Sequence, residues 1–425
     1  MRTLVPTVPL PDPPAPSELI RSGRAGHKEL TFEIRAITPV IGAGYEAGEG
    51  DLVTPVRGGT IRGLLRHWWR AFYNARSIDS LREKEKTLWG WASYPGLIDV
   101  HVHHIKASDP KDNWTLYEHL DRLGGQTLST QEQDTAKYVL FPLQKPRQNR
   151  DARPKRGVLE QLSFQLTIRY PVEGDTEKHV RAAMRGWIQF GGIGARTTRG
   201  CGSLYCAEFS PQNIQQARSW PVAQLFEVAD GWPVYLKPPL VKPTSGRPLS
   251  AWLAAGQILR EFRQHPIGRT GRSRSHWPEP DSIRQFTGLG PSAHLDNLTH
   301  ADQNYPRAEL GLPIVFHFKG ELENDCNLEP QGATRLASPL IFKALAFGDG
   351  TQAVPIILNL HYRSWPANVE VKGGSAWPSN PVLDWKTAVL DPAVANYQKS
   401  PLRGRTKRGS AVEALLNYAR EKGFQ

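Results

Sequence analysis

The chain has 425 residues, 39% of them apolar, and a formal net charge of +12, from 53 Lys and Arg against 41 Asp and Glu. This length predicts two or three domains, the apolar content excludes wholesale disorder, and a sequence pI of about 9.6 favours nucleic acid as a partner. No stretch approaches the ~20 apolar residues of a bilayer span, so we expect no membrane partner.

The N-terminus and the cysteines indicate a cytoplasmic protein. Five prolines interrupt the first 14 residues, so residues 1–25 are predicted to form a proline-rich tail rather than a signal peptide. Cys201, Cys206 and Cys326 are too few for a disulfide framework, and no second pair completes a zinc site. We expect no metal and no other cofactor.

Hydrophobic periodicity predicts the regular elements. Strands are expected where apolar residues alternate, and helices where they recur every three to four residues. The first half holds strand 29–37, helix 60–74 with Thr60 as N-cap, strands 97–105 and 159–170, helix 176–190 and strand 203–207. The second half holds helix 249–265, strands 311–319, 338–347 and 353–362, and helix 410–422.

The order of these elements predicts an α+β protein with long loops. The first six follow the βαββαβ plan of a ferredoxin-like domain. Prolines across 208–246 mark a boundary between a domain at 26–215 and a second α+β domain at 216–425. We find no residue-level repeat between the two halves.

Arginines follow one face of the predicted helix 60–74. Arg62, Arg66 and Arg70 recur every four residues, about 6 Å along a helix axis, which is close to the spacing of phosphates along a nucleic-acid strand. Arg57 precedes them, and almost no acidic residue precedes Asp79 to pair with them. A solvated helix face would look the same, but the bidentate geometry of arginine suits phosphate contacts.

A glycine-rich loop follows the predicted helix 176–190. Gly191, Gly192 and Gly194 permit close backbone approach, and Arg196 and Arg199 supply charge among them. Phosphate-binding loops combine backbone N–H groups with a cation in this way. The loop is neither a Walker A motif nor a Rossmann fingerprint. A flexible connection between helix and strand is the alternative.

Other candidates for RNA contacts lie in loops. The basic residues are Lys145 and Arg147 in the loop 144–157, and Arg272 and Arg274 in the loop 268–274. Trp277 is either a residue that stacks on a base or a core or lid tryptophan. We find no nucleophile with a base and an orienting acid, and so predict no catalytic residue.

Several segments of the chain resemble those of a known protein family. Residues 54–70, T-P-V-R-G-G-T-I-R-G-L-L-R-H-W-W-R, are similar to the N-terminal signature of the RAMP proteins of type III-B CRISPR systems. Among them the first subunit of the Cmr effector complex is most similar. Residues 190–202 resemble the glycine-rich loop that marks the RAMP superfamily. Three further segments, 275–284, 307–318 and 335–340, fit in the family's order.

The resemblance implies two ferredoxin-like, RRM-related domains in a non-catalytic RNA-binding subunit. The implied partners are the guide RNA (crRNA), the target RNA near the 3′ part of the guide, and other RAMP subunits of a complex for antiviral defence. One alternative is a metal-independent endoribonuclease of the same superfamily, with His101 or His103 as general base. A scaffold that touches only protein is another. The proline-rich start, the loop 144–157 and the chain after about residue 365 lie outside the matched segments.

Overall fold

The computed structural model describes most of the chain. The described residues are 26–42, 44, 49–51, 53–73, 77–92, 94–145, 153–218, 234–235, 239–264, 276–280, 282–283, 305–317, 326–361, 368–373, 382–384, 400–406 and 409–425. The predicted tail at 1–25 lies outside them, and so do Arg147, Arg272 and Arg274.

Four strands of the first half form one sheet. They are β1 (His27–Ala36), β3 (Asp99–Ala107), β8 (Leu162–Pro171) and β9 (Leu204–Tyr205). Their order across the sheet is β3-β8-β1-β9, and every neighbouring pair is antiparallel. The four strands predicted in the first half are confirmed, with ends shifted by up to three residues, because alternating apolar residues fill the core side of β1 and β8.

Two helices cover one face of this sheet. They are α1 (Gly58–Phe72) and α5 (Thr176–Phe190), which pack against each other and bury Trp69 and Trp187 with Phe164 of β8. Both helices are confirmed, but the N-cap of α1 is Arg57, not Thr60, and no side chain caps it. The helix begins at Gly58, two residues before the predicted start at residue 60.

The other face of β1, β3 and β8 is polar. Thr31 and Thr167 lie opposite each other with their hydroxyl oxygens 2.9 Å apart, and His101 lies opposite Thr167 on the edge strand. None of the outward-facing residues of these three strands is Phe, Tyr or Trp. The face therefore lacks the base-stacking aromatic rings that RRM sheets use.

Elements between β1 and β9 complete the first half. The helices between β1 and β9 are α2 (Ile78–Trp89), α3 (Asn113–Glu118) and α4 (Thr130–Val139). Helix α6 (Ile214–Arg218) follows β9. The short strands are β2 (Val40–Ile41), β4 (Lys111–Asp112), β5 (Arg122–Leu123), β6 (Gln126–Thr127) and β7 (Arg156–Leu159). None of these elements was expected from periodicity, and α2 and α4 both matter for the site.

The second half contains a sheet covered by two helices. Its elements are β10 (Val234–Tyr235), β11 (Leu240–Val241), α7 (Pro248–Gln264), β14 (Leu340–Phe347), β15 (Gln352–His361) and α8 (Ala411–Glu421). Strand β15 pairs with β14 and with β11, and Val241 of β11 exchanges backbone hydrogen bonds with the C-terminal Gln425. Strand β10 also pairs with β15, so the sheet runs β10-β15-β11, with β14 paired to β15 as well.

A smaller sheet completes the second half. It consists of β12 (Ile314–Phe316), β13 (Cys326–Pro330), β16 (Asn368–Lys372) and β17 (Val382–Asp384), all antiparallel. Among the described residues, no helix has both the length and the apolar content that crossing a bilayer requires.

The two halves share a hydrophobic core. Ile341, Leu345 and Val354 of the second half are buried in the same cluster as Trp187 and Leu204 of the first half. The predicted domain boundary between residues 215 and 216 stays a prediction. Apolar side chains from both sides of it pack into one cluster. The glycine-rich loop lies where the halves meet.

Candidate nucleic-acid interface

The arginines of the α1 segment have acidic partners. Arg57 pairs with Asp51, which also accepts hydrogen bonds from the backbone N–H groups of Val53 and Thr54. The Thr54 backbone hydrogen bond, followed by the Arg57 side chain, lowers the pKa of Asp51 far below its ordinary value. Arg62 donates to the carbonyl of Ile98, and its Nη2 lies 3.7 Å from Oδ1 of Asp99.

Glu85 of α2 binds two arginines at once. Its side chain is 6% exposed; Arg66 Nε lies 2.8 Å from Oε1, and Arg70 Nε lies 2.8 Å from Oε2. The expectation that these arginines lack acidic partners is therefore wrong, because α2 folds back and brings Glu85 to the arginine face. Arg66 and Arg70 remain 24% and 20% exposed, so an RNA phosphate would meet guanidiniums already held in place.

The glycine-rich loop is tightly packed. Gly191 and Gly192 are buried and Gly194 is exposed. A Cβ at Gly191 would collide with the indole of Trp68, and one at Gly202 would collide with the carbonyl of Ile193. Gly194, Gly200 and Gly202 have positive φ angles, which glycine adopts without strain.

The backbone N–H groups of this loop are largely used inside the protein. Ile193 donates to Gly202, Ala195 to Ile41, Gly200 to Thr197 and Gly202 to Pro39, at 2.7–3.0 Å. Gly191 donates to Trp187 at 2.9 Å. Since these donors are occupied, an anion at this loop would be held mainly by side chains.

Residues of the second half donate hydrogen bonds to both ends of the glycine-rich loop. Lys343 of β14, fully buried, donates from Nζ to the carbonyls of Gly191 at 2.7 Å and Ile188 at 3.4 Å, at the C-terminus of α5. At the other end, Trp252 of α7 donates from Nε1 to the carbonyl of Arg199 at 2.6 Å. The position of Arg199 therefore depends on contacts from both halves.

Arg196 and Arg199 have no carboxylate partner among the described residues. Arg196 takes a left-handed backbone conformation with φ of 59°, and its guanidinium lies over the ring of Phe141 at 5.2 Å. Arg199 lies over Phe342 at 5.8 Å. Nε of Arg196 and Nη1 of Arg199 are buried without a hydrogen-bond partner. Burial lowers the pKa of both, that of Arg199 to about 10.

Two more arginines belong to the same group. Burial lowers the pKa of Arg307, and charge repulsion from Arg263, in the last turn of α7, lowers it further, as it does for Arg196 and Arg199. Arg307 pairs with buried Glu279, whose Oε2 lies 3.0 Å from Nε. This pair joins two of the segments that carry the family resemblance, 275–284 and 307–318.

The remaining predicted residues lie apart from this group or inside the core. Trp277 is fully buried, packs edge-on against Phe262, and donates to the carbonyl of Arg263 at 2.9 Å, which favours the core alternative. Lys145 is exposed, with Nζ 5.2 Å from the centre of the Trp114 ring.

The two histidines of the alternative catalytic proposal lie on the edge strand β3. His101 and His103 are exposed, and their rings stack with centroids 6.2 Å apart. In the part of the chain that the structure describes, no group of three or more His, Cys, Asp or Glu residues is arranged to hold a metal ion.

The family model of the RAMP superfamily matches residues 33–205, a segment that contains both α1 and the glycine-rich loop. This segment, less than half of the chain, is similar to the RAMP superfamily. No curated protein matches the chain.

Solved structures resemble the chain at a distance. Cmr1 from Pyrococcus furiosus (apo form) has 15% identity and a TM-score of 0.44, over 83% of this chain and 93% of that chain. A chain of the type III-B Cmr-beta complex bound to cognate target RNA has 12% identity and a TM-score of 0.40, over 81% and 96%. Cmr6 from Pyrococcus furiosus has 11% identity and a TM-score of 0.22, over 43% and 98%.

Sequence reasoning missed Glu85, Arg263 and Lys343. Glu85 lies in a helix that was not predicted. Arg263 lies near the end of a predicted helix and belongs to no motif. Lys343 is the one charged residue in an otherwise apolar predicted strand, and this could have indicated a buried role. Glu279 and Arg307 lie in segments that carry the family resemblance, but only the folded structure shows that they pair.

Proposed function

We propose that this chain is a RAMP protein and a non-catalytic RNA-binding subunit of a type III-B CRISPR (Cmr) effector complex in antiviral defence. It contacts the guide RNA and the target RNA near the 3′ end of the guide, beside other RAMP subunits in the cytoplasm. Each half forms a ferredoxin-like domain, which in the first half is supported by the strand order β3-β8-β1-β9 with two helices on one face.

The observation that carries the proposal is the pair Arg196 and Arg199. A RAMP domain holds these two guanidiniums in an ordered loop, with buried nitrogens that no group in the described residues satisfies. Phosphate oxygens match the rigid fork of donors that a guanidinium presents. Contacts to phosphates fix an RNA strand in register without reading its sequence, as a guided complex requires.

The α1 face supplies the second set of contacts. Arg57, Arg62, Arg66 and Arg70 are partly exposed, and Asp51, Asp99 and Glu85 fix their directions. A guanidinium has five donor N–H groups, so pairing with one carboxylate leaves donors for a phosphate. Gly59 and Gly63 of the same helix have open space above them, which gives an RNA backbone room to approach.

The proposal is tested with the full-length chain and labelled RNA, both single-stranded and as a guide–target duplex. The expected result is retention of intact RNA, with or without a chelator. Cleavage that is lost in His101→Ala or His103→Ala would support the endoribonuclease instead. If neither the chain nor the complex reconstituted with it depends on Arg66 and Arg196 for RNA binding, the protein is a scaffold.

A further inference from the structure

Large apolar side chains are exposed together just after α2. The described part of the chain has seven exposed large apolar residues, and three of them, Trp91, Tyr94 and Leu97, lie between residues 91 and 97. Trp91 is 63% exposed and Tyr94 is 46% exposed. Because water contact on this scale forgoes the stabilisation that burial gives, such a cluster indicates a surface that a partner covers.

The two aromatic side chains are held side by side. Trp91 and Tyr94 form an antiparallel bridge, in which the backbone N–H of each residue donates to the carbonyl of the other, at 2.9 and 3.0 Å. Residues paired in this way place their side chains on the same face. Leu97 donates to the carbonyl of Thr87 at 3.0 Å, which ties the segment to α2. A partner that binds here would therefore lose little affinity to the ordering of these residues.

Helix α2 connects this aromatic pair to the arginine face of α1. Glu85 binds Arg66 and Arg70, and the next residue, Lys86, has its Nζ 5.9 Å from the centre of the Tyr94 ring. The exposed rings and the arginines of α1 are thus on either side of one turn of α2. A strand that follows the arginines would reach the rings without leaving the surface of the first half.

Cations lie beside the aromatic pair. Lys86 is partly exposed and has no carboxylate partner among the described residues. Arg62 donates to the carbonyl of Ile98, the residue after Leu97, and Asp99 offsets part of its charge from 3.7 Å. Surfaces that bind single-stranded nucleic acid combine cations for the phosphates with aromatic rings for the bases. The charge beside the rings therefore favours RNA over an apolar protein surface as the partner.

We propose that Trp91 and Tyr94 form a stacking platform for unpaired bases of RNA. The proposal rests on the proposed function, and it adds contacts to bases, which the arginines of α1 and the glycine-rich loop do not supply. The outward face of β1, β3 and β8 lacks aromatic rings, so the platform provides from outside the sheet what RRM domains carry on their strands. Since every base has a π-face, stacking accepts any sequence, as a guided complex requires.

The test measures the affinity of the full-length chain for two RNA strands of equal length. One strand carries its bases and the other is abasic, so the two share their phosphates and differ in what can stack. Trp91→Leu and Tyr94→Leu each remove a ring but keep apolar bulk. Val315→Ala, at a position that is 54% exposed on the small sheet of the second half, is the control. Thermal midpoints of all three variants should stay close to that of the wild type, because the replaced side chains are exposed.

We expect each ring variant to bind the base-bearing strand about tenfold more weakly, the loss of one stacked base. Affinity for the abasic strand and the slope of log K against log salt should not change, because no phosphate contact is lost. Trp91→Phe keeps a ring and should retain most of the affinity. Val315→Ala should bind both strands as the wild type does.

The platform and the RNA-binding function fail in different ways. If Trp91→Leu and Tyr94→Leu bind the base-bearing strand as tightly as the wild type, the platform is wrong and these rings face a protein partner. Equal weakening of both strands would also overturn stacking, because the abasic strand has nothing to stack. RNA binding that depends on Arg66 but not on the rings removes the platform alone, whereas a wild type that binds neither strand removes the RNA-binding function and the platform with it.

Discussion

Lys343 reaches from a strand of the second half and donates to the carbonyl of Gly191, 152 residues earlier in the chain, at 2.7 Å. The contact falls where α5 ends, at the negative end of the helix dipole, and Lys343 is fully buried there. The side chain of Lys343 in one half thus fixes the start of the loop that the other half presents. Both halves therefore shape the loop that carries Arg196 and Arg199.

Lys343 should make the stability of the protein depend on pH. Burial lowers its pKa from 10.5 to about 7 in the folded state. The unfolded chain therefore binds more protons between these values, and the free energy of unfolding should rise as pH rises from 7 to 9. In Lys343→Met this rise should be smaller, measured by urea unfolding at each pH. Lys106→Met, which removes an exposed strand lysine, should retain the wild-type slope, and equal slopes in all three proteins would contradict the account.

Glu85 should contribute strongly to stability. It is the shared partner of Arg66 and Arg70, and removing it leaves two partly buried cations unpaired. We expect Glu85→Gln to lower the free energy of unfolding by about 2 kcal/mol, less than for a fully buried pair because the arginines are partly exposed. Glu83→Gln, on the exposed side of the same helix, should change it by less than about 0.5 kcal/mol. The idea fails if the two variants unfold at the same urea concentration.

Two glycines should respond in opposite directions to substitution by alanine. Gly202 has φ of 61° and no room for a Cβ against the carbonyl of Ile193, so Gly202→Ala should destabilise the protein by roughly 2 kcal/mol or more. Gly63 lies within α1 with nothing within 4 Å of a Cβ, so Gly63→Ala should stabilise it by about 1 kcal/mol. Thermal unfolding measures both. Destabilisation by Gly63→Ala would mean that the open space above α1 is not there.

The sequence predicts much of the first half because its strands and helices are strongly periodic. Strand β8 and helix α5 were expected close to their observed bounds, since apolar residues recur at regular spacing along both. Helix α4 was missed although its start carries a readable capping box, with Ser129 and Glu132 bonding each other's backbone N–H groups. Helix α2 carries many charged residues, so its narrow apolar side was not apparent.

The site was harder to predict than the fold because its contacts join distant segments. Arg196 and Arg199 were expected from the loop itself. Nothing in one sequence indicates that Glu85 neutralises the arginine face of α1 or that Lys343 binds the start of the glycine-rich loop. Trp277 shows the same difficulty, because a tryptophan just before a proline looks exposed in the sequence, whereas in the structure it packs against Phe262.

The most direct test of the account is the affinity of the full-length chain for single-stranded RNA across a salt series. Arg196→Gln is compared with Arg82→Gln, which removes a charge that is 68% exposed on α2. We predict that Arg196→Gln weakens binding and reduces the slope of log K against log salt by about 0.7, the loss of one phosphate contact, while Arg82→Gln leaves the slope unchanged. Equal slopes for the wild type and both variants would contradict a phosphate contact at the glycine-rich loop.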